Sequence, residues 1–205
     1  MASSQDTTNP ETSNSLDQQV SLFADRLFLR LKWQFFQPLS NIQVLDFDDA
    51  EEPHWTPLFG NAPGQQHVIA SEPVTDPHRA RLAVVLDPVE SWEYWQDAEL
   101  QNEKPVPLIL EGRDGGVITL GQFVTEVHTY VAGLRDLLQE ALAADPDGNV
   151  EYYFAGCMGP TRNKAAAQEE PRLSVFLVDS EMEDLDEWWE NVIGWVRNGQ
   201  TPGTQ

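Results

Sequence analysis

Two aspartates at the end of an apolar run, Asp46 and Asp48 in Ile42-Gln43-Val44-Leu45-Asp46-Phe47-Asp48, carry the clearest potential for chemistry in this sequence. Paired carboxylates at a strand end can hold a hard cation such as Mg²⁺, and one of them can attack phosphorus. Acids continue the run as Asp49, Glu51 and Glu52. Cys157 is the second candidate. Ala155-Gly156-Cys157-Met158-Gly159 follows an apolar, β-type run, and a nucleophile set between small residues after a strand is the pattern of a nucleophile elbow. Such hydrolases carry their histidine after the nucleophile, whereas His54, His67, His78 and His128 all precede Cys157. No two of these histidines stand at i, i+4 or in HxH spacing, so the sequence offers no transition-metal site.

The Asp46-Phe47-Asp48 stretch resembles the first motif of haloacid-dehalogenase-type phosphatases. The resemblance implies Asp46 as nucleophile, Asp48 as general acid and a Mg²⁺ beside both. Val175-Phe176-Leu177-Val178-Asp179, followed by Glu183 and Asp184, loosely echoes that family's last, metal-binding motif. On that likeness Asp179 joins the metal set and Lys164 supplies the lysine. Ala50 stands where the motif has Thr, and no strand ending in Ser or Thr supplies the second motif. A small Mg²⁺-dependent hydrolase using Asp46 and Asp48 is therefore the alternative reading. Without it no cofactor is expected.

The charge points elsewhere. Against 34 Asp and Glu stand only 12 Lys and Arg, for a formal net charge of -22. Phosphate backbones are bound mainly by cationic side chains, so nucleic acid and anionic membrane are not expected partners, whereas a basic protein is. The lysines are only Lys32, Lys104 and Lys164, and an acid excess with few lysines is also what adaptation to high internal salt produces. The aromatics add a second signal. Trp92, Tyr94 and Trp95 on one short predicted helix exceed what a single face can bury, and Trp188 adjoins Trp189 among Glu183, Asp186 and Glu187. Exposed aromatics rimmed by acids suit an interface hot spot for an Arg-rich partner, or a cage for a cationic ligand. The leading reading is an acidic, soluble binding protein rather than an enzyme: an inhibitor, an immunity-type protein or an accessory factor. It would engage a basic partner through Trp92, Tyr94, Trp95, Glu183, Asp186, Glu187 and Trp188. A small-molecule binder with a Trp-lined pocket is a further alternative.

These residues need a scaffold. The 205-residue length suits one domain over 16–199, with polar tails at 1–15 and 200–205 that are expected to be disordered. No apolar run approaches the roughly 18 residues that span a bilayer. The N-terminal residues lack the basic and apolar regions of a secretory signal. A single cysteine allows no intramolecular disulfide and fits a cytoplasmic setting.

Alternation over Leu27–Phe35 predicts a strand, although its Leu and Arg also suit a helix, and Ile42–Phe47 predicts a second strand. Asp48–Arg79 reads mostly as loop, with one short strand at His67–Ala70. Arg81–Leu86 is a buried-type strand, after which Asp87-Pro88 starts a helix running to Leu100. Val106–Glu111 and Val117–Leu120 flank an Asp-Gly turn and predict a hairpin. A helix over Gly121–Ala144, strands at Val150–Phe154 and Leu173–Val178, and a last helix from a capping box at Ser180–Glu183 to Gly199 complete the chain. The sum is an α+β domain, a mainly antiparallel sheet with helices packed on one face.

Overall fold

The structure, a computed structural model, describes residues 21–60, 62, 64–91, 104–141, 150–160, 162–166, 168, 170–180 and 185–200. The expected tail at 1–15, Trp92, Tyr94, Trp95, Glu183, most of the capping box, and 201–205 lie outside the described residues. The fold is α+β. Its strands fall into two sheets rather than one. The first is antiparallel, in the order β1 (Leu31–Lys32), β2 (Gln43–Phe47), β3 (Pro53–Pro57). The second is mixed, in the order β5 (Leu108–Glu111), β4 (Arg81–Leu86), β7 (Arg172–Asp179), β6 (Tyr152–Met158), with β4 and β7 parallel. The helices are α1 (Asp25–Phe28), α2 (Asp87–Glu90), α3 (Leu120–Gly133), α4 (Arg135–Ala141), α5 (Arg162–Ala166) and α6 (Leu185–Asn198). No helix among the described residues is long and apolar enough to cross a membrane.

Sequence and structure part first at Leu27–Phe35. Instead of one strand, the chain makes the short helix α1, a turn, then β1. The alternation survives only over Leu31, Trp33 and Phe35, all buried. This stretch joins the sheets. Leu31 and Lys32 pair with β2, while the Phe35 N–H donates to the Tyr152 carbonyl at 2.7 Å and the Phe154 N–H to the Trp33 carbonyl at 2.8 Å. One extended segment thus serves a different neighbour on each half.

Two further departures lie in Asp48–Arg79. Pro53–Pro57 is a strand, because prolines are tolerated on an edge where no ladder donor is needed, and β3 is the edge of its sheet. His67–Ala70 is not a strand but leads a 3₁₀ turn over Val68–Ser71, with the His67 side chain accepting from the Ile69 N–H.

The Asp-Gly turn forms locally. Asp114 (φ 54°) and Gly115 (φ 71°) both take the left-handed region, and the Gly116 N–H closes on the Arg113 carbonyl. The hairpin itself does not form: after the turn, Ile118 bonds to Arg79 and Val74 rather than back to β5. β5 instead lies antiparallel on β4. The long predicted helix breaks at Leu134 (φ -108°, ψ 13°), just after Gly133, the poorest helix former in the stretch.

The main core lies between the second sheet and α3. Leu82, Val84, Leu110, Leu173 and Val175 face Phe123, Val124, Val127 and Val131. Around Trp33 the aromatics interlock, with Phe154 stacked at 5.5 Å and Phe35 at 4.7 Å between ring centroids. A second, smaller core forms where α6 covers the three-stranded sheet: Leu45, Trp189 and Val192, with Phe47, Trp55 and Tyr153 packed around them.

Candidate functional site

Strand geometry sorts the candidates. Side chains alternate along a strand, and paired residues in neighbouring strands point the same way. The register Val44↔Thr56 and Leu31↔Val44 sets Val44, Asp46, Thr56 and Leu31 on one face of the first sheet. The register Leu45↔Trp55 and Lys32↔Gln43 sets Leu45, Phe47, Trp55 and Lys32 on the other, which α6 covers.

On the first face both oxygens of Asp46 have partners. Its Oδ2 accepts from the Thr56 hydroxyl at 2.7 Å and meets His67 Nε2 at 2.8 Å; its Oδ1 pairs with the Arg30 guanidinium. Arg30 Nε also donates to the Leu45 carbonyl at 2.9 Å, which fixes the fork. His67 Nδ1 accepts from the Ile69 N–H, so the ring proton sits on Nε2, facing the carboxylate. Burial pushes the Asp46 pKa up. The Thr56 bond, the His67 and Arg30 charges and the His67 bond together outweigh it, so the pKa lies below the ordinary value. Such a carboxylate is a weak base and a weak nucleophile. It ties the turn after α1, the edge strand β3 and the cap of the 3₁₀ turn to β2.

Asp48 is exposed in the β2–β3 loop, where its Oδ1 accepts from the N–H groups of Ala50 and Glu52, both at 2.9 Å. It shapes its own turn. Asp179 ends β7, opposite Tyr152 in the other sheet. Among the described residues no group of three or more His, Cys, Asp or Glu side chains could hold a metal ion.

Cys157 lies inside β6, not at an elbow after it. Phe154 pairs with Leu177 and Gly156 with Phe176, so Ala155 is the extra residue of a β-bulge and Gly156 supplies its φ of 133°. Ala155 and Gly156 serve the bulge, whereas Gly159 leaves room for the Phe23 ring, which a Cβ there would strike. Cys157 is half-buried, and desolvation, then the Asp25 charge, push its pKa well above the usual range, the opposite of what a thiolate nucleophile needs. His128 stands beside the core, 6.4 Å from the Trp33 ring, and burial holds its pKa down.

No family model, curated protein or solved structure matches this chain.

The second face differs in kind. Leu185, Trp189, Val192 and Val196 of α6 face the sheet. Trp189 meets Trp55 edge to face at 5.6 Å and Tyr153 at 6.1 Å. Trp188 and Trp195, two turns apart on the flank of that stripe, make a half-buried edge-to-face pair at 5.6 Å. Asp186, Glu187 and Glu190 are exposed beside them, and among the described residues none has a cation partner. At the far end, Arg197 lies over the Phe47 ring and donates to the Glu51 carbonyl at 3.0 Å, which brings the acidic β2–β3 loop against the helix. Lys32 Nζ lies 5.5 Å from the Trp55 ring centroid and 5.3 Å from that of Trp189. A cation–π contact of this partly exposed kind contributes about 0.5–1 kcal/mol.

Of the seven binding residues read from the sequence, the structure brings Asp186, Glu187 and Trp188 together; the other four lie outside the described residues. Sequence reasoning missed Arg30, His67, Lys32 and Trp55 as contributors. A signal existed for Lys32, which is one of three lysines and sits on the polar side of an alternating run. None existed for His67, whose role depends on a turn distant in sequence. The clefts among the described residues include one of about 220 Å³ between α1 and the end of α6, including Arg26, Arg30 and Gly199, one of about 300 Å³ including Val89, Lys104 and Arg172, and one of about 380 Å³ including Asp87, Met158 and Phe176. Trp lines none of these three.

Proposed function

We propose that this chain is an acidic binding protein whose α6 face engages a basic protein, in the manner of an inhibitor, an immunity-type protein or an accessory factor. The observation that carries the reading is the Trp188–Trp195 pair, half-buried beside exposed Asp186, Glu187 and Glu190. Aromatic anchors set among unpaired charges of one sign are where binding energy concentrates, and the surrounding field speeds the encounter with an oppositely charged partner. The net charge of -22 supports a basic protein over nucleic acid. The single cysteine supports a cytoplasmic setting.

The test is an affinity capture from native extract at low salt, run in parallel with wild type and with a Trp188→Ala/Glu187→Gln variant. A basic protein held in stoichiometric amount by wild type, released by a salt step and lost from the variant is the expected result. An empty wild-type eluate, or equal retention by the variant, would remove the reading.

A further inference from the structure

We propose that the slot between Trp55 and Trp189 is a cation-recognition site that the chain keeps filled with its own Lys32, and that an arginine of the basic partner takes that place. The inference rests on the binding role proposed above and names the chemistry by which the partner is recognised.

Lys32 projects from β1 toward α6, with Nζ 5.5 Å and 5.3 Å from the centroids of Trp55 and Trp189. The two indoles touch edge to face, at 83°, and Tyr153 packs on Trp189 at 77°, so the slot is the seat against both indole rings that Lys32 itself fills. The ammonium lacks an anion: among the described residues no carboxylate lies within ion-pair distance of it, in a chain with 34 acids. The anions stand at the rim instead. The Tyr153 hydroxyl donates to Glu151 at 2.7 Å, exposed Asp186 lies one turn before Trp189 on α6, and exposed Glu190 adjoins it. An aromatic slot with an acidic rim attracts cations, and the resident lysine leaves that rim unneutralised.

The resident is also the weaker kind of occupant. An ammonium is compact and strongly hydrated, whereas a guanidinium is planar, more weakly hydrated, and stacks on aromatic faces. Lys32 hangs on a flexible four-carbon stem, so its head can swing into water while β1 stays paired with β2. Exchange of Lys32 for a partner's arginine needs no backbone change. It would make occupancy of the slot selective for arginine over lysine.

The experiment titrates a tetra-arginine peptide, with tetra-lysine as control, into the full chain at low salt and follows the lysine ε-methylene signals by ¹H–¹³C NMR. With only Lys32, Lys104 and Lys164 present, Lys32→Ala assigns the Lys32 signal directly. In the free protein that signal lies upfield of the other two, under the indole ring currents. With tetra-arginine it moves to join them, and tetra-lysine moves it less. Lys32→Ala binds tetra-arginine more tightly, on the order of fivefold, and Lys32→Arg binds it more weakly than wild type, because a better resident now fills the slot. These opposite directions keep the test informative if either variant is less stable. Tetra-arginine binding with the Lys32 signal unmoved and both variants equal to wild type would overturn the slot while leaving the binding role standing. No binding by any of the three proteins would overturn the slot, and an empty affinity capture beside it would remove the binding role too.

Discussion

The two faces of the three-stranded sheet treat charge in opposite ways. On one, Asp46 is met by a guanidinium, a hydroxyl and an imidazole. On the other, among the described residues, Lys32 meets indole rings and no carboxylate, and the exposed acids of α6 form no ion pair. The residues of β2 that separate these settings are neighbours, Leu45 and Asp46, and a one-residue slip would exchange their faces. The satisfied face suits holding the fold together, since a carboxylate held by three partners and with a lowered pKa has little left for chemistry. The unsatisfied face suits an interface, since its charges keep their attraction for something outside the chain.

Substitutions that separate the faces sharpen this contrast. Trp189→Ala removes the largest side chain of the second core and is expected to cost about 3–5 kcal/mol of stability by urea denaturation; a loss below 1 kcal/mol would mean that α6 is not held by that core. Asp46→Ala strands Arg30, Thr56 and His67 and is expected to cost about 2–3 kcal/mol. A catalytic carboxylate set in place at the expense of stability would behave differently, leaving the chain as stable or more so when removed. Acid titration reads the same network. The Asp46 pKa is depressed in the fold, so its contribution to stability is complete above the ordinary carboxyl value of 3.8 and is lost as pH falls through the folded value. Wild type is therefore expected to lose more stability below pH 3.8 than Asp46→Asn does; parallel curves would break the contrast from that side. Smallest is Lys32→Ala, expected to cost about 1 kcal/mol or less, because a half-exposed cation–π contact is all it removes.

The elements whose evidence is local could be read from the sequence. The run Leu82–Leu86 is apolar throughout because β4 is interior to its sheet, and Leu185–Val196 carries its stripe because α6 lies on a sheet. Elements set by distant partners could not. Leu27–Phe35 alternates, yet its first half coils into α1, and only Leu31–Phe35 finds strands to pair with. The prolines of β3 point to a loop unless it is known that the strand is an edge. At Cys157 the small residues meet the needs of a bulge in β6 (Ala155, Gly156) and of the Phe23 ring (Gly159), which the pattern alone does not distinguish from an elbow. At the site, Trp188 with Asp186 and Glu187 follow from helical spacing, whereas the Asp46 network draws on Arg30, Thr56 and His67, three segments that only folding brings together.

The central claim is that the α6 face, and not the Asp46 face, meets a basic partner. Amide chemical-shift mapping of the ¹⁵N-labelled chain during a low-salt titration with tetra-arginine tests it most directly. The account predicts saturable shifts concentrated on 186–197, the 48–52 loop and the Trp188, Trp189 and Trp195 indole signals, with Arg30, Thr56 and His67 unmoved. Shifts spread in proportion to local acidity across the whole surface, or centred on the Asp46 network, would contradict it.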